Sequence, residues 1–265
     1  ELVRISGLSH GTNVWLDNAQ KLVEEGIPLK STICTRDDIM IYLISCGMVP
    51  KRAFTIMEQV RKGKGLKDGD IEEMKAANVP QWYIDSCLKV KYLFPKAHAV
   101  AYVTMGLRVA YYKVHYPLEY YCAYYTVRGD DFDAAMMANG RDEVLKAMSN
   151  INSNPNATAK EKNIYTLLEI VNEMYLRGFD FLPIDLYKSE ADKFTIEDGK
   201  LRPPFTAVKG LGLSVAESIV EERKNEFFTK EDFISRTKAG SSIVELLTEH
   251  GCFKDLPDSS QTSFF

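Results

Sequence analysis

Apolar residues recur every three or four positions along most of this chain, and that spacing predicts a mainly α-helical protein. The longest helical segment covers residues 97–115, lies between Pro95 and Pro117, and contains no proline. A helix of that length spans roughly 28 Å, at about 1.5 Å per residue. We expect one apolar face on it, formed by Val100, Val103, Leu107 and Ala110.

Capping and turn residues predict shorter elements on both sides of this segment. Residues 1–11 are expected to form a loop that ends in a glycine turn. Further helices are expected to begin near Thr12, Thr35, Pro50, Asp70, Pro80, Glu119, Asp133 and Thr158. Three of these starts have the spacing of a capping box: Thr35 with Asp38, Asp70 with Glu73, and Thr158 with Glu161. The pair Asp198-Gly199, between two short extended segments, predicts a β-hairpin.

Charge is distributed unevenly along the 265 residues. The net charge is −4. Residues 1–128 contain 17 Lys and Arg against 13 Asp and Glu, a net of +4, whereas the remainder has 16 against 24, a net of −8. The first part is therefore the better candidate for a surface that meets a polyanion. Its loop 61–69, with four cations and three glycines, either keeps the protein in solution or contacts DNA phosphates.

Cysteine usage and hydropathy exclude several classes of protein. The five cysteines are scattered and form no C-x-x-C pair, so neither a zinc site nor a disulfide framework is predicted. Reduced thiols suit a cytoplasmic protein. No uncharged apolar run approaches the ~18 residues of a membrane span, and no signal peptide opens the chain. We expect no membrane partner, and the initial Glu1 suggests a fragment of a longer chain.

Lys96 and His98 are the first candidates for chemistry, since both fall in the first turn of the long predicted helix. The free amides and positive dipole at a helix start favour an anion. A cation and a titratable ring beside them suit a phosphate-bearing ligand. The alternative is an ordinary surface lysine and histidine.

A second candidate lies in residues 205–223, which match a helix-hairpin-helix pattern. Gly210 and Gly212 would let backbone amides approach one point without a Cβ in the way. The following helix would add its positive end, and Lys209 and Ser214 would help to hold one DNA phosphate. Residues 232–247, around Ala239-Gly240, look like a degenerate second copy, and two copies would hold a duplex. A hairpin with only a structural role is the alternative.

Two strings carry a family resemblance. Residues 96–102, Lys-Ala-His-Ala-x-Ala-Tyr, are followed by Ala-Tyr-x-Lys-x-x-Tyr-Pro-x-Glu at 110–119, and together they resemble the fingers motif of C-family bacterial replicative DNA polymerases. Residues 6–15 are similar to another segment of those fingers. The flanking sequence resembles the PolC type of DNA polymerase III alpha subunit, and the resemblance covers essentially the whole chain.

The resemblance implies a domain order and sites. It implies helical polymerase fingers over 1–128, a helical continuation over 129–181, a small helix-hairpin-helix domain with a β-hairpin that binds duplex over 182–257, and a flexible sliding-clamp-binding tail over 258–265. The implied residues for the incoming nucleotide are Lys96, His98, Tyr102, Arg36 and His10. Those for DNA are Lys209, Gly210, Leu211, Gly212 and Ser214. Those for the clamp are Gln261, Ser263, Phe264 and Phe265, with Phe264 where leucine is commoner.

The reaction of the family is template-directed nucleotidyl transfer, with Mg²⁺ held by aspartates of the palm domain. The adjacent pairs Asp37-Asp38 and Asp130-Asp131 do not match the catalytic strand. We therefore expect no catalytic residue and no metal ligand in this chain, which would bind but not polymerise alone. The expected partners are primer-template DNA, a dNTP, the sliding clamp (beta subunit) and the rest of the polymerase chain. The alternative is a non-catalytic helix-hairpin-helix scaffold tethered to the clamp.

Overall fold

The computed structural model describes residues 1–254 and 256–259 and divides the chain into two compact units, residues 1–110 and 111–265. Each unit has its own hydrophobic core. The predicted domain boundary at residue 128 falls inside the second unit. Two tyrosines of the aromatic segment that precedes it, Tyr121 and Tyr125, are fully buried in that unit's core.

The first unit is built from seven α-helices, of which the last continues beyond it. They are α1 (Leu2–His10), α2 (Gln20–Glu24), α3 (Arg36–Ser45), α4 (Pro50–Arg61), α5 (Asp68–Ala76), α6 (Gln81–Lys89) and α7 (Lys96–His115). A 3₁₀ turn, Leu29–Ser31, precedes α3. The core lies between the inner faces of these helices and includes Ile39, Ile56 and Ile84, all with no exposed surface.

The amino-terminal segment differs from the prediction of a loop followed by a helix. Residues 2–10 are helical, and the next segment, Trp15–Ala19, is kinked because Asp17 has a left-handed backbone with φ of 56°. Gly7 belongs to the predicted loop, yet it lies inside α1. A Cβ on Gly7 would stand 2.5 Å from the carbonyl oxygen of Cys34, so glycine is needed there for close packing and not for a turn.

Two of the three predicted capping boxes form as predicted, and the third does not. The Thr35 amide donates to Asp38 Oδ2 at 2.8 Å, and the Thr158 amide donates to Glu161 Oε2 at 2.7 Å. In α5, however, Asp70 is not the cap residue of the box; it is the carboxylate three positions after the cap residue, Lys67. It accepts from the Lys67 amide at 2.9 Å, because α5 begins at Asp68, two residues earlier than expected.

The long predicted helix is present as α7, but its apolar face is not buried. Ala99 is its only buried residue. Val100 and Leu107 are 43% and 55% exposed. The apolar spacing therefore predicts the helix correctly, but these side chains are not part of either unit's core. Residues 111–115 of α7 are grouped with the second unit.

Within residues 111–254 and 256–259, the second unit contains seven further helices and one two-stranded antiparallel sheet. The helices are α8 (Pro117–Val127), α9 (Ala134–Met137), α10 (Arg141–Asn152), α11 (Ala159–Leu176), α12 (Leu213–Glu222), α13 (Lys230–Arg236) and α14 (Ser241–Glu249). The sheet pairs β1 (Thr195–Glu197) with β2 (Lys200–Arg202). Short 3₁₀ turns occur at Gly129–Asp131 and Phe205–Ala207.

The β-hairpin confirms its turn prediction. Asp198 and Gly199 have φ of 51° and 74°, the left-handed pair of a type I′ turn. Ile196 faces Leu201 across the ladder, and Leu201 is fully buried. In the described part of the chain, no helix combines the length and the apolar character that crossing a membrane requires.

Candidate phosphate-binding sites

The amino terminus of α7 lies beside that of α3. Asp37, in the first turn of α3, accepts a hydrogen bond at Oδ2 from the Lys96 amide at 2.9 Å. This carboxylate therefore caps α7 from a different helix. The prediction that the first amides of α7 are free for a ligand is wrong for Lys96. The exposed ammonium of Lys96 and the exposed ring of His98 remain available to solvent.

Aromatic rings gather around Phe94, immediately before α7. The ring of Phe94 lies 5.2 Å from His10, 5.9 Å from His98 and 6.1 Å from Tyr102, measured between centroids. Tyr102 is 65% exposed. The structure thus brings together three of the five residues predicted for the nucleotide, from α1 and α7. Phe94 itself was missed, since nothing in its spacing distinguishes it from a core residue.

Arg36 also lies near Phe94, and both its backbone and its side chain make contacts there. Its amide donates to the Phe94 carbonyl at 3.3 Å. Its guanidinium lies 3.8 Å from Asp37 Oδ2 and 3.6 Å from Glu58 Oε1, and its buried Nε atom has no hydrogen-bond partner. These are loose ion pairs, so Arg36 is balanced by carboxylates without being locked to them.

Glu58 is held ionised by its neighbours. Arg61 donates two hydrogen bonds to it, at 2.8 and 2.9 Å, and Lys62 lies 3.2 Å away. Together these cations, Arg61 first, lower the pKa of Glu58 to about 2 against the opposing effect of burial. A full negative charge therefore faces Arg36 at every physiological pH.

The turn before α12 has the shape that the helix-hairpin-helix pattern predicts. Gly210 takes φ of 100°, which residues with a Cβ rarely adopt. Gly212 caps α12 with an extended backbone at φ of −79°, and a Cβ there would meet nothing within 4 Å. Only Gly210 is therefore required by the backbone conformation. Lys209, Gly210, Gly212 and Ser214 are all exposed.

Leu211 has a different place from the other four residues predicted to bind DNA. Its side chain is only 5% exposed and belongs to the core. Its amide is used within the turn, donating to the Val208 carbonyl at 3.0 Å. Leu211 therefore anchors the turn and has no group directed to a ligand. The amides left for an anion are those at the start of α12, since the first amides of a helix have no partner within it.

The second copy repeats this local structure. Gly240 caps α14 with φ of −84°, close to the −79° of Gly212 before α12. Ala239, one residue earlier, is 4% exposed and matches the buried Leu211. The inward residues Val244 and Leu247 correspond in position to Ala216 and Ile219. The degenerate copy predicted from sequence therefore has the same helix start, but its turn differs, because Lys238 stands where Gly210 does and does not take a positive φ.

A cleft of about 340 Å³ adjoins the first turn. One wall consists of the turn itself with Lys209, and α11 contributes Lys160. The other wall carries three aspartates, Asp130, Asp131 and Asp133. Asp131 is paired with Arg128 at 2.9 Å, and Asp133 accepts from the Ala135 amide as the cap of α9.

Comparisons with known proteins match both halves of the chain. Residues 1–80 match the family described as bacterial DNA polymerase III alpha subunit finger domain. Residues 178–263 match the helix-hairpin-helix motif family. Relatives named DNA polymerase III PolC-type are 53% identical in Caldanaerobacter subterraneus subsp. tengcongensis, 54% in Clostridium perfringens and 53% in Bacillus subtilis, each over 268 aligned residues that cover this whole chain. This chain is similar over its whole length to PolC-type DNA polymerase III.

The chain spans about a fifth of the length of these PolC-type relatives, 18% or 19% of each. The finger-domain match includes His10 and Arg36 but ends at residue 80, before Lys96, His98 and Tyr102. The helix-hairpin-helix match includes both glycine turns. The roles of individual residues at either place remain predictions.

Two predictions concern residues or groups that the structure does not display. The clamp residues Gln261, Ser263, Phe264 and Phe265 lie outside the described residues. Among residues 1–254 and 256–259, no cluster of three or more His, Cys, Asp or Glu side chains could hold a metal ion.

Proposed function

We propose that this chain forms the fingers and the duplex-binding part of a replicative DNA-directed DNA polymerase of the PolC type. The observation that carries the proposal is 53% identity, over the whole chain, to PolC-type relatives. The finger-domain and helix-hairpin-helix matches support it, because they fall on the two units in the order that the sequence predicts. Nucleotidyl transfer would be the activity of the complete protein.

In the first unit, Lys96 and His98 contact the triphosphate of the incoming dNTP. Both are exposed at one helix start, where a cation and a ring N–H can form charge-assisted hydrogen bonds to phosphate oxygens. Tyr102 and His10, with Phe94 between them, offer flat surfaces to the nucleotide. Arg36 exchanges its loose pairs with Asp37 and Glu58 for the triphosphate.

In the second unit, the start of α12 and Lys209 bind a phosphate of the product duplex. The contact is to the DNA backbone and is independent of sequence, as copying any template requires. The exposed residues Gly210, Gly212 and Ser214 leave the start of α12 accessible to DNA. The repeated turn at Gly240 would bind a second phosphate in the same way.

Mg²⁺, the clamp contact and the cytoplasmic location belong to the complete polymerase in this proposal. The metal ions would be held by residues outside this chain, and no step here depends on them. The tail carrying Gln261, Ser263, Phe264 and Phe265 would bind the sliding clamp. Deleting residues 261–265 should abolish capture by immobilised clamp, and undiminished capture would contradict that assignment.

The nucleotide site is best tested in a complete enzyme. A chimera of the Bacillus subtilis PolC-type polymerase, with this chain in place of the matching segment, provides one once its unmutated form is shown to be active. Lys96→Ala and His98→Ala should each raise KM for dNTP about tenfold, since one lost charge-assisted hydrogen bond costs about 1.5 kcal/mol or more. Duplex binding should stay unchanged.

Lys75→Ala is the matched control, because Lys75 is an exposed lysine of the same unit. It should leave KM as it is. A non-catalytic DNA-binding scaffold tethered to the clamp predicts instead that none of the three substitutions changes KM. That result would contradict the polymerase reading of the first unit.

A further inference from the structure

We propose that Lys238, which belongs to the second glycine turn, is a DNA-phosphate-binding residue of the first turn. The inference rests on the proposed duplex-binding function and adds a residue to it. The helix-hairpin-helix pattern predicts Lys209 and Ser214 at the first turn and does not include Lys238. The structure places its ammonium there.

Two hydrogen bonds fix Lys238 against α12. Its ammonium donates to Ser214 Oγ at 3.2 Å, and its amide donates to Ser218 Oγ at 3.0 Å. Ser214 is the second residue of α12, so the ammonium lies at the positive end of that helix. The two turns thus share one charged surface, although Lys238 and Ser214 are 24 positions apart in sequence.

Lys238 lacks the ion-pair partner that three nearby cations have. Arg223 pairs with Glu190 at 3.1 Å, Lys230 with Asp258 at 2.8 Å, and Arg236 with Asp232 at 3.2 Å. Within residues 1–254 and 256–259, no carboxylate lies within ion-pair distance of Lys238, and none lies within that distance of Lys209. Neither lysine therefore has an ion-pair partner among these residues, although Asp130, Asp131 and Asp133 line the cleft beside Lys209.

The Lys238 ammonium and the positive amino terminus of α12 repel one another, and a bound anion would relieve that repulsion. Ser214 Oγ accepts from Lys238, so its own proton is free to be donated to a phosphate oxygen. The ligand we infer is a phosphodiester of duplex DNA. Its oxygens would accept hydrogen bonds from four sources: Lys209, Lys238, the Ser214 hydroxyl and the first amides of α12.

The test measures duplex DNA binding by the full 265-residue chain at several KCl concentrations. Lys238→Gln should weaken binding several-fold and reduce the slope of log K against log[salt] by about 0.9, the value for one lost phosphate contact. Lys209→Gln should do the same. Lys224→Gln is the matched control, because Lys224 is an exposed lysine just beyond the opposite end of α12, and it should change neither quantity.

A second variant separates charge from folding. Lys238→Arg keeps the charge, so its salt slope should equal that of the unmutated chain. If Lys238 has only a structural role through its bonds to Ser214 and Ser218, Lys238→Gln should leave the salt slope unchanged. If Lys209→Gln flattens the slope and Lys238→Gln behaves like Lys224→Gln, this inference is wrong and the proposed duplex site stands. If neither Lys209→Gln nor Lys238→Gln changes the slope, or the unmutated chain shows no salt-dependent binding, the duplex site itself is wrong.

Discussion

The two candidate phosphate sites differ in what surrounds their positive groups. At the start of α7, Asp37 already accepts from the Lys96 amide, and Arg36 is balanced by Asp37 and Glu58. At the start of α12, Lys209 and Lys238 have no carboxylate partner within the described residues, and the nearest side-chain partner of Lys238 is a neutral hydroxyl. In the first site, carboxylates already contact the Lys96 amide and Arg36, whereas in the second no described carboxylate lies within ion-pair distance of Lys209 or Lys238.

This difference indicates how each site would meet its ligand. A triphosphate at α7 has to compete with internal carboxylates for Arg36, so binding and release involve an exchange of partners. Such exchange suits a substrate that must enter and leave in every catalytic cycle. A phosphate at α12 meets free amides and lysines without ion-pair partners, so no internal contact has to be broken. Such a site suits a contact that holds a duplex of any sequence.

The largest expected effect is on the second site, from Gly210→Ala. A residue with a Cβ at φ of 100° costs about 1–2 kcal/mol, and relief of that strain would displace the turn. We expect duplex binding to fall at least tenfold, measured by fluorescence anisotropy below the melting temperature.

Gly212→Ala is the matched control for Gly210→Ala. Its φ is −79° and its Cβ would meet no atom within 4 Å, so binding should change less than threefold. Equal losses at the two glycines would show that the positive φ of Gly210 is not what the turn requires.

A smaller effect is expected on the first site from Asp37→Ala. The substitution removes the acceptor for the Lys96 amide and one counter-ion of Arg36, and loss of a helix cap costs about 1 kcal/mol. Both tryptophans of the chain, Trp15 and Trp82, lie in the first unit. Tryptophan fluorescence during urea unfolding therefore reports this unit alone.

Asp37→Asn keeps an acceptor for the Lys96 amide and removes the charge, so it should cost less than Asp37→Ala. If Asn and Ala at this position destabilise the unit equally, the cap contributes nothing and the effect belongs to the charge near Arg36.

The smallest expected effect concerns Glu58 and depends on pH. Its pKa falls from an ordinary 4.5 to about 2 in the folded chain, so its ionised form stabilises the first unit above about pH 4.5. That stabilisation is lost as pH falls toward 2. The three cations facing it are Arg61, Lys62 and Arg36. Since the pairs are partly exposed, Glu58→Gln should cost no more than about 1 kcal/mol at pH 7.

The measurement is urea unfolding of Glu58→Gln and the unmutated chain at pH 7 and near pH 2.5, followed by tryptophan fluorescence. The difference between the two proteins should shrink at the lower pH. A difference that stays constant over this range would mean that the charge of Glu58 does not stabilise the fold.

Local patterns were sufficient to predict much of this structure. The capping boxes at Thr35 and Thr158, the type I′ turn at Asp198-Gly199 and the glycine turn before α12 depend on residues within a few positions of each other. They form as predicted because the atoms that stabilise them are close in sequence. Helix α7 was predicted for the same reason.

The missed features depend on contacts between distant residues. Asp37 caps α7 from 59 positions away, and glycine is required at position 7 because a Cβ there would meet the backbone of Cys34. No periodicity or spacing contains that information. The same limit applies to Lys238, whose place at the first turn appears only once α12 and the second turn are folded together.

The most direct test of the two-site proposal compares one substitution from each site in the same chimeric polymerase. KM for dNTP and Kd for duplex DNA are measured for Lys96→Ala and Lys209→Gln. We predict that Lys96→Ala raises KM about tenfold with Kd unchanged, and that Lys209→Gln weakens duplex binding and flattens its salt slope with KM unchanged. If both substitutions change both quantities alike, or neither changes either, the two places are not separate phosphate-binding sites.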